Sequence, residues 1–207
     1  SKYTRRSQRE YKKISRYIEE TVKSRKGNYL VFFPSYEMME SVYGAYIASG
    51  PAKQCVCKLQ GNNMSEEERE EFLNEFEKEQ NMPLLGFCVM GGIFSEGIDL
   101  TEEKLIGAII VGTGLPKVCT EREILKQYFD ARGLGGFDYA YLYPGMNKVL
   151  QSAGRVIRTA ADKGCVLLLD ERFFRNEYKK LFPREWKQPV FGNICDLKNI
   201  LENFWEG

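Results

Sequence analysis

The chain has 207 residues, of which 43% are hydrophobic, 29% charged and 13% aromatic, enough for the core of one ordinary α/β domain. A formal net charge of +1 supplies no global field toward nucleic acid or membrane, so any basic site must be local. No apolar run approaches the roughly 20 residues that cross a bilayer and no charged-then-apolar leader opens the chain, so an intracellular, cytoplasmic protein is expected, nuclear if the source is eukaryotic.

Residues 6–26 have the helical period, with Ile14, Tyr17, Ile18 and Val22 on one face and Gly27-Asn28 as the stop. Basic residues dominate here: Lys2, Arg5, Arg6, Arg9, Lys12, Lys13 and Arg16 stand against Glu10, which suits a phosphate-facing helix and equally a solvated one. Tyr29-Leu30-Val31-Phe32-Phe33 is a continuous apolar run, as in a central parallel strand buried on both faces. Pro34-Ser35 ends it. The pattern then predicts a helix over 36–48, a strand over 54–59, and a helix over 65–78 opened by the capping-box signature Ser65-x-x-Glu68.

Strands are predicted over 84–90 and 105–111, a helix over 120–131, and a break at 133–136. A Tyr-rich piece, 139–143, precedes Pro144, and a helix is predicted over 146–159. A fifth strand over 166–169 ends at Asp170-Glu171-Arg172-Phe173, and helices capping the core are predicted within 176–182 and 197–205. This alternation predicts a three-layer α/β/α fold with a mainly parallel central sheet. The expected organisation is a single domain over 1–207, with 1–26 as a leading helix and 175–207 as capping helices.

There is no histidine, which sets aside serine–histidine and two-histidine metal mechanisms. The six cysteines form no C-x-x-C pair, as in a reduced intracellular protein. Cys55-Val56-Cys57 is open to two readings, half of a metal site or simple alternation along a strand. The chain lacks a G-x-x-x-x-G-K-[ST] phosphate loop, so it can supply only part of a nucleotide site.

Two constellations carry chemistry. Gln151-Ser152-Ala153-Gly154-Arg155-Val156-Ile157-Arg158 spaces two guanidiniums three apart, the layout of a phosphate clamp if the run is helical, or of a solvated basic face. Gln151 lies one turn before Arg155, and Gly154 permits close approach of another backbone. Val89-Met90-Gly91-Gly92-Ile93-Phe94-Ser95-Glu96-Gly97-Ile98-Asp99-Leu100 follows the third strand. Its glycines allow either a tight corner or a ligand-binding loop, with Glu96 and Asp99 as acceptors for a sugar hydroxyl or the surroundings of an ion.

The ordered series Gly27-Asn28-Tyr29-Leu30-Val31-Phe32-Phe33-Pro34-Ser35-Tyr36, Phe94-Ser95-Glu96-Gly97-Ile98-Asp99, Gly112-Thr113-Gly114-Leu115-Pro116, Gln151 to Arg158 and Asp170-Glu171-Arg172-Phe173 resembles the second, RecA-like motor domain of XPD/DinG-type superfamily 2 DNA helicases. The likeness spans about residues 27–174. It implies an ATP-driven motor whose two lobes close on ATP with Mg, held mainly by a first motor domain of the same polypeptide, and which moves 5′ to 3′ along single-stranded DNA. Within that likeness Arg155 and Arg158 resemble arginine fingers for the γ-phosphate, and Gln151 orders the phosphate or attacking water. Glu96, Gly97, Asp99 and Gly154 resemble nucleotide-contacting positions, while Ser35, Tyr36, Gly91 and Gly92 resemble the track for the sugar-phosphate backbone. Tyr36 is also readable as a helix-start residue packed on the core, and Asp170 and Arg172 as a pair or as a brace for the arginine-bearing helix.

The chain departs from that family between Pro116 and Gly145, where Lys117-Val118-Cys119-Thr120 leads quickly into a helix instead of a proline-rich loop. The family's iron-sulfur cysteines belong to the other motor domain, so none of the six here is assigned to a cluster. The resemblance implies a fragment inactive alone; the alternative is a single-strand-binding module that kept the fold without the engine. A dinucleotide-binding enzyme is disfavoured because the Gly91-Gly92 loop is not G-x-G-x-x-G.

Overall fold

The computed structural model describes residues 7–50, 54–94, 105–156, 163–186, 189–190 and 192–207. Five apolar runs become β1 (Asn28–Phe33), β2 (Val56–Leu59), β3 (Leu84–Val89), β4 (Gly107–Val111) and β5 (Cys165–Leu169). They form one sheet in the order β2-β3-β1-β4-β5, with every neighbouring pair parallel. β1, β3 and β4 occupy the middle and are buried along nearly their whole length, which is why their sequences are continuously apolar instead of alternating.

Alternate side chains feed two cores. Tyr29, Val31 and Phe33 of β1, with Leu85, Phe87 and Val89 of β3, pack beneath α1 (Gln8–Ser24) and α2 (Tyr36–Ala48) through Ile14, Ile18, Met39 and Val42. Leu30 and Phe32, with Cys88 and Ile110, pack on the opposite side against α3 (Glu66–Glu77) through Phe72 and Phe76. The three-layer arrangement is thus the expected one. Ser7 and Ser35 cap α1 and α2, and Ser65 and Glu68 form the reciprocal capping box foreseen for α3. The second strand is shorter than expected, beginning at Val56, so Cys55 stands ahead of the ladder.

α4 (Thr120–Asp130) contributes no buried residue. It leans on the following helical segment through the stacked rings of Phe129 and Tyr139, 4.1 Å apart, and a hydrogen bond of 2.6 Å from the Tyr141 hydroxyl to Glu123. That bond to a carboxylate pushes the Tyr141 pKa up to about 12.

The Tyr-rich piece before Pro144 is helical, not a separate connector: Asp138–Leu142 is a π-helical turn that runs directly into α5 (Tyr143–Ala153). Pro144 has no N–H and its ring would clash with the carbonyl of Ala140 in a regular helix. The wider π turn, closed by Tyr143 N–H donating to Asp138 O, relieves that clash. Arg122 of α4 supplies the donor that proline lacks, its Nη1 donating to Ala140 O at 2.7 Å.

α5 also ends earlier than its sequence suggests. Gly154 serves as the C-cap, its N–H donating to Leu150 O at 2.8 Å, and Val156 N–H closes a tighter turn onto Ala153 O at 3.2 Å. Arg155 therefore sits in the turn beyond the helix instead of on its face; Arg158 lies outside the described residues. Glycine and the β-branched Val156 both weaken helix propagation, which accounts for the stop. The chain closes with α6 (Asn176–Lys179) and α7 (Ile194–Glu206), whose Trp205 donates to Ser24 Oγ at 3.1 Å and so ties the C-terminal helix to α1.

Candidate functional site

Polar and glycine-rich groups gather past the carboxyl ends of the parallel strands, where ligands of open α/β sheets bind. After β1, Ser35 accepts from Met38 N–H at 3.4 Å as the cap of α2. Tyr36 opens the helix half-buried, and its hydroxyl accepts from Gln60 Nε2 at 2.9 Å. Gln60 follows β2, is buried, and accepts from Val89 N–H through Oε1 at 2.8 Å. One side chain thereby fastens together the ends of β2 and β3 and the start of α2.

Gly91, next along, adopts φ +68°, a left-handed conformation that a side chain would strain. A Cβ there would also meet the Lys148 side chain, 3.0 Å from Cε and 3.4 Å from Nζ, so the lysine of α5 lies across the glycine turn. Gly92 N–H donates to Val89 O at 3.2 Å. Past β4, Gly114 (φ +63°) lets the loop come against α5, where a Cβ would stand 2.8 Å from Gly145 O. Thr113 between Gly112 and Gly114 is buried, and its hydroxyl has no hydrogen-bond partner among the described residues.

α5 thus crosses this edge. Lys148 is half-buried beside Gly91, Gln151 is exposed one turn on, and Arg155 is half-buried in the turn after Gly154. After β5, Asp170 and Arg172 pair in the first of the two ways expected: Nε donates to Oδ1 at 2.8 Å, Nη2 to Oδ2 at 2.9 Å, and the Arg172 N–H to Oδ1 at 2.9 Å. Burial raises the Asp170 pKa and the Arg172 bonds lower it; the carboxyl stands well below its ordinary range, while Arg172 is raised in turn.

The structure therefore brings Ser35, Tyr36, Gly91 and Gly92 to one edge of the sheet, with Gln151, Gly154 and Arg155 along the last turn and end of the helix that crosses it. Glu96, Gly97, Asp99 and Arg158 fall outside the described residues. Tyr36 is the helix-start residue packed on the core that one of its two readings expects. Lys148 and Gln60 were not singled out by sequence. Lys148 had a signal, since it precedes Gln151 by three residues and shares its helix face. Gln60 had none. We expect Gln60→Leu to cost about 1–3 kcal/mol, since it removes the acceptor of Val89 N–H and the donor to Tyr36; a urea unfolding midpoint equal to that of the parent protein would contradict this bridging role.

An all-parallel sheet in this order, with amide, hydroxyl and cationic groups converging past its strand ends, is a RecA-like α/β lobe. Over residues 18–189 the chain matches the family described as the helicase C-terminal domain. It belongs to that family and is a C-terminal helicase domain of the XPD/DinG type. A probable ATP-dependent helicase of Methanocaldococcus jannaschii is 30% identical over 159 residues, covering 71% of this chain and 24% of the relative. A regulator of telomere elongation helicase 1 homolog of Drosophila persimilis is 31% identical over 157 residues, covering 70% of this chain and 15% of the relative. An XPD helicase structure superposes with a TM-score of 0.70 at 28% identity, and an apo XPD structure with 0.69 at 29%. Each covers 87% of this chain, which spans 31% and 36% of theirs respectively. The chain thus corresponds to about a quarter or less of these curated relatives and about a third of the solved ones. No helix among the described residues is long and apolar enough to cross a membrane.

Proposed function

We propose that this chain is the second motor domain of an ATP-dependent DNA helicase, completing across a cleft a nucleotide site whose phosphate loop belongs to a first motor domain of the same polypeptide. Family membership supports the class, and one observation carries the finer reading: Lys148, which lies against the Gly91 corner, shares a single helix run and its terminal turn with Gln151 and Arg155. These are cationic and amide groups, chemistry suited to phosphate oxygens. No group of three or more His, Cys, Asp or Glu that could hold a metal stands among the described residues, and the proposal assigns the magnesium to the first motor domain.

In this reading Arg155 and Arg158 neutralise charge on the departing γ-phosphate and Gln151 orders the phosphate or attacking water. Glu96, Gly97, Asp99 and Gly154 approach the nucleotide. Ser35, Tyr36, Gly91 and Gly92 border single-stranded DNA, where contacts to the sugar-phosphate backbone are independent of sequence, as a moving motor requires. The single domain over 1–207, with its leading and capping helices, is part of the same proposal.

The test compares this chain alone with the full-length protein in ATP hydrolysis, with and without single-stranded DNA. The chain alone is expected to be silent and the full-length protein to be stimulated. A full-length protein that binds single strands without any change in ATP turnover would instead be the binding module without an engine, and would overturn the proposal.

A further inference from the structure

The amino end of β2 holds a second chemical feature, remote from the strand-carboxyl edge. Cys55 and Cys57 are two apart, so their side chains fall on one side of the extended chain, and their Sγ atoms are 3.5 Å apart. The Tyr46 hydroxyl of α2 lies 3.3 Å from Cys55 Sγ. A cavity of about 200 Å³, lined by Glu19 and Lys23 of α1 together with Lys26, Tyr46 and Pro83, reaches Cys55 and gives a small polar reagent a route to a residue that is otherwise only 5% exposed.

Hydrogen bonding with Cys57 and with the Tyr46 hydroxyl lowers the Cys55 pKa despite its burial. The same bond, together with burial, pushes Cys57 up. Among the described residues, the ionisable groups facing the pair are Tyr43 and Tyr46 from α2, Glu19 and Lys23 from α1 and Lys26 just beyond it, with Glu19 already bound to Lys23. Thiolate, not thiol, attacks peroxide, and the cavity is lined by Cys55 and not by Cys57, so Cys55 is the nucleophile and Cys57 the partner thiol beside it. The other described cysteines differ. Cys88 is fully buried, burial pushes Cys165 up to about 12, and Cys119 and Cys195 are exposed.

We propose that Cys55 and Cys57 are an oxidisable dithiol whose substrate class is a small hydroperoxide. In the first step the Cys55 thiolate attacks the distal peroxide oxygen, the O–O bond breaks, and Cys55 becomes a sulfenic acid while hydroxide leaves and takes up a proton to give water. In the second, Cys57 sulfur attacks the Cys55 sulfur, its proton passes to the departing hydroxyl, and a second water leaves. Two thiols are oxidised and one hydrogen peroxide is reduced to two waters. Forming a bond of about 2.04 Å requires the sulfurs to approach by roughly 1.5 Å. Cys55 precedes the ladder, which begins with Val56 opposite Leu84, so the movement falls on a residue outside the strand pairing. The pair sits at the amino ends of the strands, where Val56 N–H donates to Pro83 O at 2.8 Å, and the proposal is independent of the motor assignment.

The test uses the full chain carrying Cys119→Ser and Cys195→Ser, treated with hydrogen peroxide and digested with trypsin. Peptide Gln54–Lys58 contains both cysteines and is expected to lose two hydrogens, regained on reduction with dithiothreitol. In the further variant Cys57→Ser, dimedone is expected to trap a sulfenic acid on Cys55; in Cys55→Ser it is expected to label nothing in this peptide. Recovery of Gln54–Lys58 unmodified after peroxide, addition of two oxygens to Cys55 beside an intact Cys57 thiol, or dimedone labelling of Cys57 in Cys55→Ser overturns the proposal. Should either serine variant misfold, the two-hydrogen loss in the parent chain decides alone.

Discussion

Replacing Arg155 by alanine in the full-length protein is expected to lower single-strand-stimulated ATP hydrolysis by about a thousandfold or more, the scale on which arginine fingers act in phosphoryl transfer. The fold should survive, because Arg155 lies in the turn after α5 and belongs to neither hydrophobic core. Strand affinity should change little, since the proposed strand-bordering groups are Ser35, Tyr36, Gly91 and Gly92. Arg155→Lys should rescue poorly, as an ammonium cannot reproduce the planar fork that engages two phosphate oxygens. Arg158→Ala is expected to behave alike. Unaltered turnover in both alanine variants, measured at saturating ATP and DNA, would remove the finger assignment while leaving the family membership untouched.

Asp170→Ala is expected to cost about 3 kcal/mol of folding stability, the lower end of the range for breaking a buried ion pair. The Asp170 side chain is fully buried, whereas Arg172 keeps 19% of its side chain exposed and can recover some hydration once its partner is gone. The sign of the pH dependence follows from the depressed carboxyl pKa. The contribution is fully present above the unfolded aspartate value, about 3.9, and is lost as pH falls below it toward the folded value. Urea unfolding at pH 7 and at pH 3 should therefore show a smaller gap between parent and Asp170→Ala at the acid end. A gap that widens on acidification would mean that the pair does not stabilise the fold.

The strands were the legible part of this chain. Buried parallel strands need apolar side chains on both faces, so β1, β3 and β4 announce themselves as unbroken runs such as Tyr29 to Phe33. Capping chemistry was equally readable, because Ser65 and Glu68 satisfy each other locally. The course of the chain around Pro144 was not. A proline normally signals a helix boundary, and its accommodation here depends on a π turn and on Arg122, which is 18 residues from the carbonyl it serves. The helix end at Gly154 was missed for a related reason: the apolar period continues through Val156 and Ile157, while the backbone has already turned. Within the candidate site, residue types with local spacing were visible, as with Gln151 and Arg155. Gln60 was invisible because its partners, Tyr36 and Val89, are 24 and 29 residues distant and meet it only through strand register.

Since α4 places nothing in either core, selection on packing hardly touches it. Arg122, Glu123 and Phe129 still tie it to the next segment, so the room for extra length lies in the exposed residues 117–119, where insertion leaves the five-stranded scaffold intact.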